Sequence, residues 1–197
     1  MANDRGAVSP SAATDGRDQE SPVAGRVNKI TYAGLPLNPD GIPDELKKHI
    51  RFVLYRLVEK DGKPGKRDKV PYQPDNPRYK AKSDNPDHWS TFDKALEVYS
   101  AGRAHGIGFV LTSIESLVAI DLDNCINADG KASKTALEIV SALPGYWEMS
   151  PSGRGLHGFF KGSLPGPDIA NHKTGVEIYG GGSTRFITLT GQLWGSA

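Results

Sequence analysis

Apolar residues recur along this chain at two spacings, and the switch between them marks out its elements. Short β-branched or aromatic runs at 52–57, 108–111 and 117–123 predict strands, the first preceded by a short helix from Glu45. Phe92, Ala95, Leu96 and Tyr99 fall on one face of a helix that Ser90 or Thr91 would cap and that runs to about Ala101. Ala136, Ile139, Val140 and Leu143 do the same for 132–143, and Pro144-Gly145 ends it. Further strands are expected at 146–149, 156–160, 175–179 and 186–190, with 117–123 pairing to 108–111 across the turn between them. Residues 59–70 read as a basic hairpin or loop, followed by an irregular Pro/Asn-rich stretch. The pattern is α+β, a mainly antiparallel sheet with helices on one face.

The head of the chain lacks this patterning. Residues 1–24 are rich in Ala, Ser, Gly, Asp and Pro and cannot bury enough surface to offset ordering, so a disordered tail is expected. Residues 25–44 read as a linker or extended arm, and 45–195 as one folded domain.

Chemistry concentrates where the strands end. Ile120-Asp121-Leu122-Asp123 closes an apolar run with two carboxylates spaced i, i+2, which a strand puts on one face. Neighbouring carboxylates repel, and a divalent cation removes that cost; the bland alternative is a pair of strand-stopping aspartates. Ser150-Pro151-Ser152-Gly153-Arg154-Gly155 is a glycine-rich loop whose backbone N–H groups, with Ser152 and Arg154, suit phosphate oxygens. It leads into a strand on which His157 faces away from Leu156 and Phe160, as a phosphate contact or as a core histidine. In 175–179, Val176 and Ile178 share one face while Glu177 and Tyr179 share the other. Three strands thus pair an apolar face with a metal- or phosphate-competent one.

Charge adds a location rather than a class. Lys and Arg number 24 against 23 Asp and Glu, a net +1, but Lys60, Lys63, Lys66, Arg67 and Lys69 cluster against few acids. That stretch suits a polyanion, or is a solvated loop. No apolar run is long enough to span a membrane and no signal peptide precedes the first charges, so a soluble, cytoplasmic protein without a membrane partner is expected. Cys125 is the single cysteine, which excludes a disulfide framework; it reads as a small buried thiol.

An apolar strand ending in DxD, then Ser152-Gly153-Arg154-Gly155-Leu156-His157, then a strand carrying Glu177 resembles, in order and spacing, the catalytic core of archaeo-eukaryotic primases. The similarity is greatest to the bifunctional primase-polymerase domain of phage and plasmid replication proteins. Upstream, Lys69-Val70-Pro71-Tyr72, the segment 87–92 and Gly106-Ile107-Gly108-Phe109 are similar to that family's leading module, and Arg185-Phe186-Ile187-Thr188-Leu189-Thr190-Gly191 to its closing strand. The resemblance covers roughly residues 50–194; many relatives carry Asp where this chain has Glu177.

The resemblance implies an RRM-like catalytic sheet beside a smaller N-terminal αβ module. It implies template-directed nucleotidyl transfer, making or extending primers on single-stranded DNA from dNTPs or NTPs. Asp121, Asp123 and Glu177 would ligate Mg²⁺ or Mn²⁺, and His157 and Ser152 would contact the triphosphate. By chemistry alone Arg154 and Arg185 are further phosphate contacts, Arg185 alternatively a strand-end residue, and Lys66, Arg67 and Lys69 meet template or, for Lys69, nucleotide. Related domains stand at the front of longer proteins with a helicase, so a fused or associated replicative helicase is an expected partner.

Other classes fit less well. A restriction-type nuclease would share the acids but wants acid-x-Lys, and neither Asp121 nor Glu177 is followed by it. A rolling-circle nuclease needs a histidine pair that is missing, and a glycosyltransferase DxD leaves the 150–157 element unexplained. A non-catalytic RRM-like binder would display aromatic residues where this chain displays acids. The chain has no P-loop.

Overall fold

The computed structural model describes residue 1 and residues 34–114 and 116–195. The expected tail and the first part of the expected arm otherwise lie outside the described residues. Among those described, nine strands form two antiparallel sheets, where a mainly antiparallel catalytic sheet beside a smaller N-terminal αβ module is expected. The first has the order β2(Arg67–Tyr72)-β1(Phe52–Glu59)-β3(Gly106–Val110)-β9(Phe186–Leu189). The second has the order β5(Tyr146–Met149)-β6(Leu156–Lys161)-β4(Leu117–Leu122)-β8(Val176–Tyr179)-β7(Ile169–Asn171). The expected pairing of 108–111 with 117–123 does not form, because β3 pairs with β1 and β9 while β4 pairs with β6 and β8. All of β3 is buried, as a central strand must be, and its Gly106 and Gly108 leave room for Tyr55 of β1 and Phe186 of β9. The chain then crosses to the other layer at a turn where Ser113 takes φ 57°.

The helices divide between the layers instead of sharing one face. Short α1(Asp44–Lys47) buries Leu46. Helix α2(Phe92–Ser100) is capped by Thr91, whose side chain accepts from the Lys94 N–H, and it buries Phe92, Ala95 and Val98 against the first sheet. Leu96 and Tyr99 of the expected stripe are only partly buried, and Val98 replaces them at the centre. Helix α3(Lys134–Ala142), capped by Ser133, lies with Ile120, Leu122, Trp147 and Leu156 on the far face of the second sheet. Leu143 was expected in its buried stripe but sits at the C-cap, 40% exposed, because the helix ends before it completes the turn that would aim it inward.

Between the sheets lies the main core. Phe52, Leu54, Ile107, Phe109, Ile187 and Leu189 of the first sheet meet Leu117, Ala119, Phe159 and Tyr179 of the second. Phe109 is the hinge pin of this packing, edge-on to Phe52 at 5.3 Å and to Phe159 at 6.2 Å between centroids. The end of the arm is bound to this body. The Leu35 N–H donates to Pro151 O at 2.9 Å, the Asn38 N–H to Thr190 O at 2.7 Å, and Ile42 is buried. Gly191, at φ 63°, permits that approach, since a Cβ there would strike the Asn38 carbonyl oxygen.

Candidate active site

Register turns the separate motifs into one row. Across the second sheet Glu148 of β5 stands opposite His157 of β6, His157 opposite Asp121 of β4, and Asp121 opposite Glu177 of β8. Residues directly opposite in adjacent strands share a face, so the four side chains line up. The next row, Tyr146, Phe159, Ala119 and Tyr179, belongs to the same face and enters or packs against the core between the sheets. The sequence pattern suggested an apolar face and a chemical face on each strand. In fact the chemical face is itself divided, its second row holding the sheets together and its first row opening into a cleft. The tyrosines tie the rows: Tyr146 Oη donates to Glu148 Oε2 at 2.5 Å, and Tyr179 Oη donates to Glu177 Oε2.

The cleft, of about 190 Å³, has one wall from each sheet. Asp121, His157, Glu177 and Tyr179 form one; Lys69 of β2 with Arg185, Phe186, Ile187 and Thr188 of the β9 strand form the other. Lys69 has an exposed stem, but its ammonium turns inward and donates to Thr188 Oγ1 at 3.1 Å. Burial lowers its pKa, against the pull of Asp121 and Asp123. Arg185 lies over the Tyr179 ring, 5.7 Å from its centroid.

Asp123 extends the carboxylate group from the end of β4. Its N–H donates to Gly175 O at 2.8 Å, and Gly175, at φ 70°, lets the two backbones close; a Cβ there would lie 2.7 Å from Asp123 O. Asp121, Asp123 and Glu177 each offer an oxygen, all within 4.8 Å of one another. Burial raises the Asp121 carboxyl above the usual range, with Asp123 and Glu177 adding to the rise while His157 and Lys69 oppose it. Asp121 Oδ1 is buried without a hydrogen-bond partner. An orphaned carboxylate oxygen beside two more acids fits a divalent cation, whose charge would remove the cost of assembling them.

His157 is 2% exposed, between Asp121 Oδ1 at 3.6 Å from Nε2 and Glu148 Oε1 at 3.5 Å from Nδ1. Burial pushes the imidazole down, but the carboxylates on both sides outweigh it and leave its pKa raised. The ring is buried, as in the core-histidine alternative, and it also lines the cleft.

The remaining sequence candidates are distributed around this centre. Ser152 and Arg154 are exposed in the β5–β6 loop and are not among the residues lining the cleft; Ser152 Oγ accepts from the Arg154 N–H at 3.2 Å and stands 3.0 Å from Ser150 Oγ. Lys66 and Arg67 are exposed at the turn end of the β1–β2 hairpin, Lys66 closing the turn and Arg67 opening β2. Two further residues join the site. Glu148 already stood on a predicted strand, but only its register with β6 reveals that it backs His157. His172, 84% exposed, reaches Glu177 Oε1 at 2.9 Å from its Nδ1 through the β7–β8 turn, which no periodicity announced.

No helix among the described residues is long and apolar enough to cross a membrane. No family model matches the chain. Over 156 residues the chain is 35% identical to a protein named DNA Primase-polymerase from Nitratiruptor phage NrS-1, in a match covering 76% of this chain and 20% of that protein. The chain therefore spans about a fifth of the length of that curated relative. A match of 35% identity over three quarters of the chain supports a primase-polymerase domain in it.

Proposed function

We propose that this domain is a template-directed nucleotidyltransferase that makes or extends primers on single-stranded DNA. The observation that carries the reading is the cluster of Asp121, Asp123 and Glu177, of which Asp121 and Glu177 face Lys69 and Arg185 across one cleft. Asp121, Asp123 and Glu177 would hold Mg²⁺ or Mn²⁺, in a palm-like sheet of the archaeo-eukaryotic primase kind. Two such cations, when bound, activate a primer 3′-hydroxyl and neutralise the triphosphate and leaving pyrophosphate. The chain's own cations do the rest. His157 and Arg185 orient the triphosphate from the two walls, and Ser152 and Arg154 meet its far end from the β5–β6 loop. Lys69 projects over the nucleotide, and Lys66 and Arg67 grip template phosphates on the hairpin beyond it. A replicative helicase, fused or associated, would be a further partner.

Incubation with template, labelled dNTPs or NTPs and Mg²⁺ or Mn²⁺, with and without primer, tests this on a denaturing gel. Products longer than the primer, or new short chains without one, are expected. Primer shortening without incorporation would instead identify a nuclease using the same acids with Lys69 beside them. The non-catalytic RRM-like reading would leave every labelled strand unchanged. It has little to stack bases on, because Phe159 and Tyr179 on the acidic face are buried.

Two further results are expected. Lys66→Ala with Arg67→Ala should weaken template binding and flatten its salt dependence by up to about two in slope, with extension recovering at high template. Lys69→Ala should instead raise the nucleotide concentration needed, since its ammonium is inside the cleft. An unchanged salt slope in the double variant would move the template elsewhere.

The metal-free acids should also cost stability. The raised Asp121 pKa means its charged form is penalised by folding at neutral pH, stability being highest below the unfolded pKa and falling as pH rises through the folded one. Asp121→Asn should therefore raise the melting temperature in chelator by roughly 2–4 °C, equivalent to about 1 kcal/mol. Mn²⁺ at a hundred times its Kd should stabilise wild type by about 2.7 kcal/mol and the Asn variant much less. Equal metal effects on both proteins would exclude Asp121 as a ligand.

A further inference from the structure

We infer that a second hollow, across the three acids from His157, seats the 3′ end of the acceptor strand, with Lys173 holding its terminal phosphodiester. The inference deepens the proposed function and rests on it for what happens at that 3′ end.

The hollow, about 390 Å³, lies beyond the end of β4 against the β7–β8 turn, with Asp123, Asn124, His172 and Lys173 among its lining residues. It shares no residue with the cleft. The acids stand between the two. Asp121 and Glu177 line the cleft, Asp123 lines the hollow, and all three offer oxygens within 4.8 Å of one another. Sheet order fixes the sides: His157 and the β5–β6 loop flank β4 from β6, whereas the β7–β8 turn flanks it from β8.

The reaction needs a second seat of this kind. In nucleotidyl transfer the strand's 3′-oxygen bonds to the α-phosphorus as the bond to the bridging oxygen breaks. Pyrophosphate departs, and the hydroxyl proton passes to water. Attacking and leaving oxygens are in line. With the triphosphate held by His157 and the cleft's cations, the attacking strand must enter from the other side of the acids, and there the hollow opens. That strand is itself a polyanion, which carboxylates repel unless a cation meets it. Lys173 supplies the charge. It is exposed, and its ammonium has no acidic partner among the described residues.

The turn that carries Lys173 is firmly built. Asn171 Oδ1 accepts from the N–H of Lys173 at 3.1 Å and of Thr174 at 3.3 Å, and Asn171 O accepts from the Gly175 N–H at 2.9 Å. Gly175 O accepts in turn from the Asp123 N–H, and His172 Nδ1 lies 2.9 Å from Glu177 Oε1. The turn is thus tied to two of the three acids.

Fluorescence anisotropy in Mn²⁺ tests this with two labelled DNA junctions of equal length and charge, one with a recessed 3′ end and one with a recessed 5′ end. Wild type should bind the recessed 3′ end more tightly. Lys173→Ala should lower that affinity about tenfold, the usual loss with one charge-assisted hydrogen bond, and reduce its salt slope by about one. Lys173→Arg should restore most of it. Affinity for the recessed 5′ end, binding of a fluorescent dNTP and the melting temperature should stay at wild-type values. Equal binding of both junctions by wild type would overturn the inference. So would an unchanged affinity in Lys173→Ala, which would make the side chain merely solvated. An equal loss on both junctions would make Lys173 a general DNA contact and overturn it too. If wild type incorporates nothing on any template yet prefers the recessed 3′ end through Lys173, the polymerase reading fails and the strand seat stands. If it extends primers while Lys173→Ala binds both junctions as wild type does, the reading stands and the seat falls.

Discussion

Asp121→Ala and Asp123→Ala are each expected to abolish nucleotide incorporation, by about a hundredfold to a thousandfold at least, while binding to single-stranded template survives. The two effects separate because their charges are separate. Asp121, Asp123 and Glu177 offer oxygens within 4.8 Å of one another at the cleft, which Asp121 and Glu177 line, whereas Lys66 and Arg67 project from the hairpin. Removing one acid would break the proposed ligand set without touching the cations proposed to hold phosphates. Template affinity should even rise slightly, since one repulsive charge is gone. Extension measured with excess metal and nucleotide, beside template binding by fluorescence anisotropy, checks both halves. Either variant extending primers at the wild-type rate would falsify the metal assignment. Loss of template binding in step with activity would point instead to a collapsed fold, which circular dichroism would reveal.

The second large effect is expected far from any charge. Phe109→Ala should cost about 3–5 kcal/mol, the usual range for deleting a buried aromatic ring. Phe109 is 0% exposed, and its ring touches Phe52 within its own sheet and Phe159 across the interface. A domain of this size has about 5–15 kcal/mol to lose, so the variant should unfold at much lower denaturant. The consequence for function follows from Phe159, which lies two residues from His157 on β6, in the row that holds the sheets together. With that packing loosened, the walls of the cleft no longer keep their distance. The nucleotide KM should rise even at temperatures where the variant is folded. A stability loss under about 1 kcal/mol would mean that the interface repacks around the cavity.

Much of this protein could be read one strand at a time. The DxD at the end of β4, the loop before His157 and the alternation around Glu177 are local patterns, and strand geometry alone puts Asp121 and Asp123 on one side. The resemblance to primase-polymerase domains was legible for the same reason, since it rests on short motifs in a fixed order. Helix α2 and its Thr91 cap were equally local.

What the sequence could not decide was which strands become neighbours. A run such as Gly106–Val110, buried on both faces, carries no mark of its partners, and only long-range packing gave it β1 and β9 instead of β4. That choice put β3 in the first sheet and β4 in the second, and it set Lys69 and Arg185 opposite the acids rather than along the same surface. Glu148 shows the principle at the smallest scale. Its alternation with Trp147 was visible in the chain, but a carboxylate on a strand is ordinary until register sets it against His157 and the turn after β9 folds over it. Side-chain alternation is a property of one backbone and is written locally. Register and layer packing are properties of several, and they are resolved only when all compete for the same core.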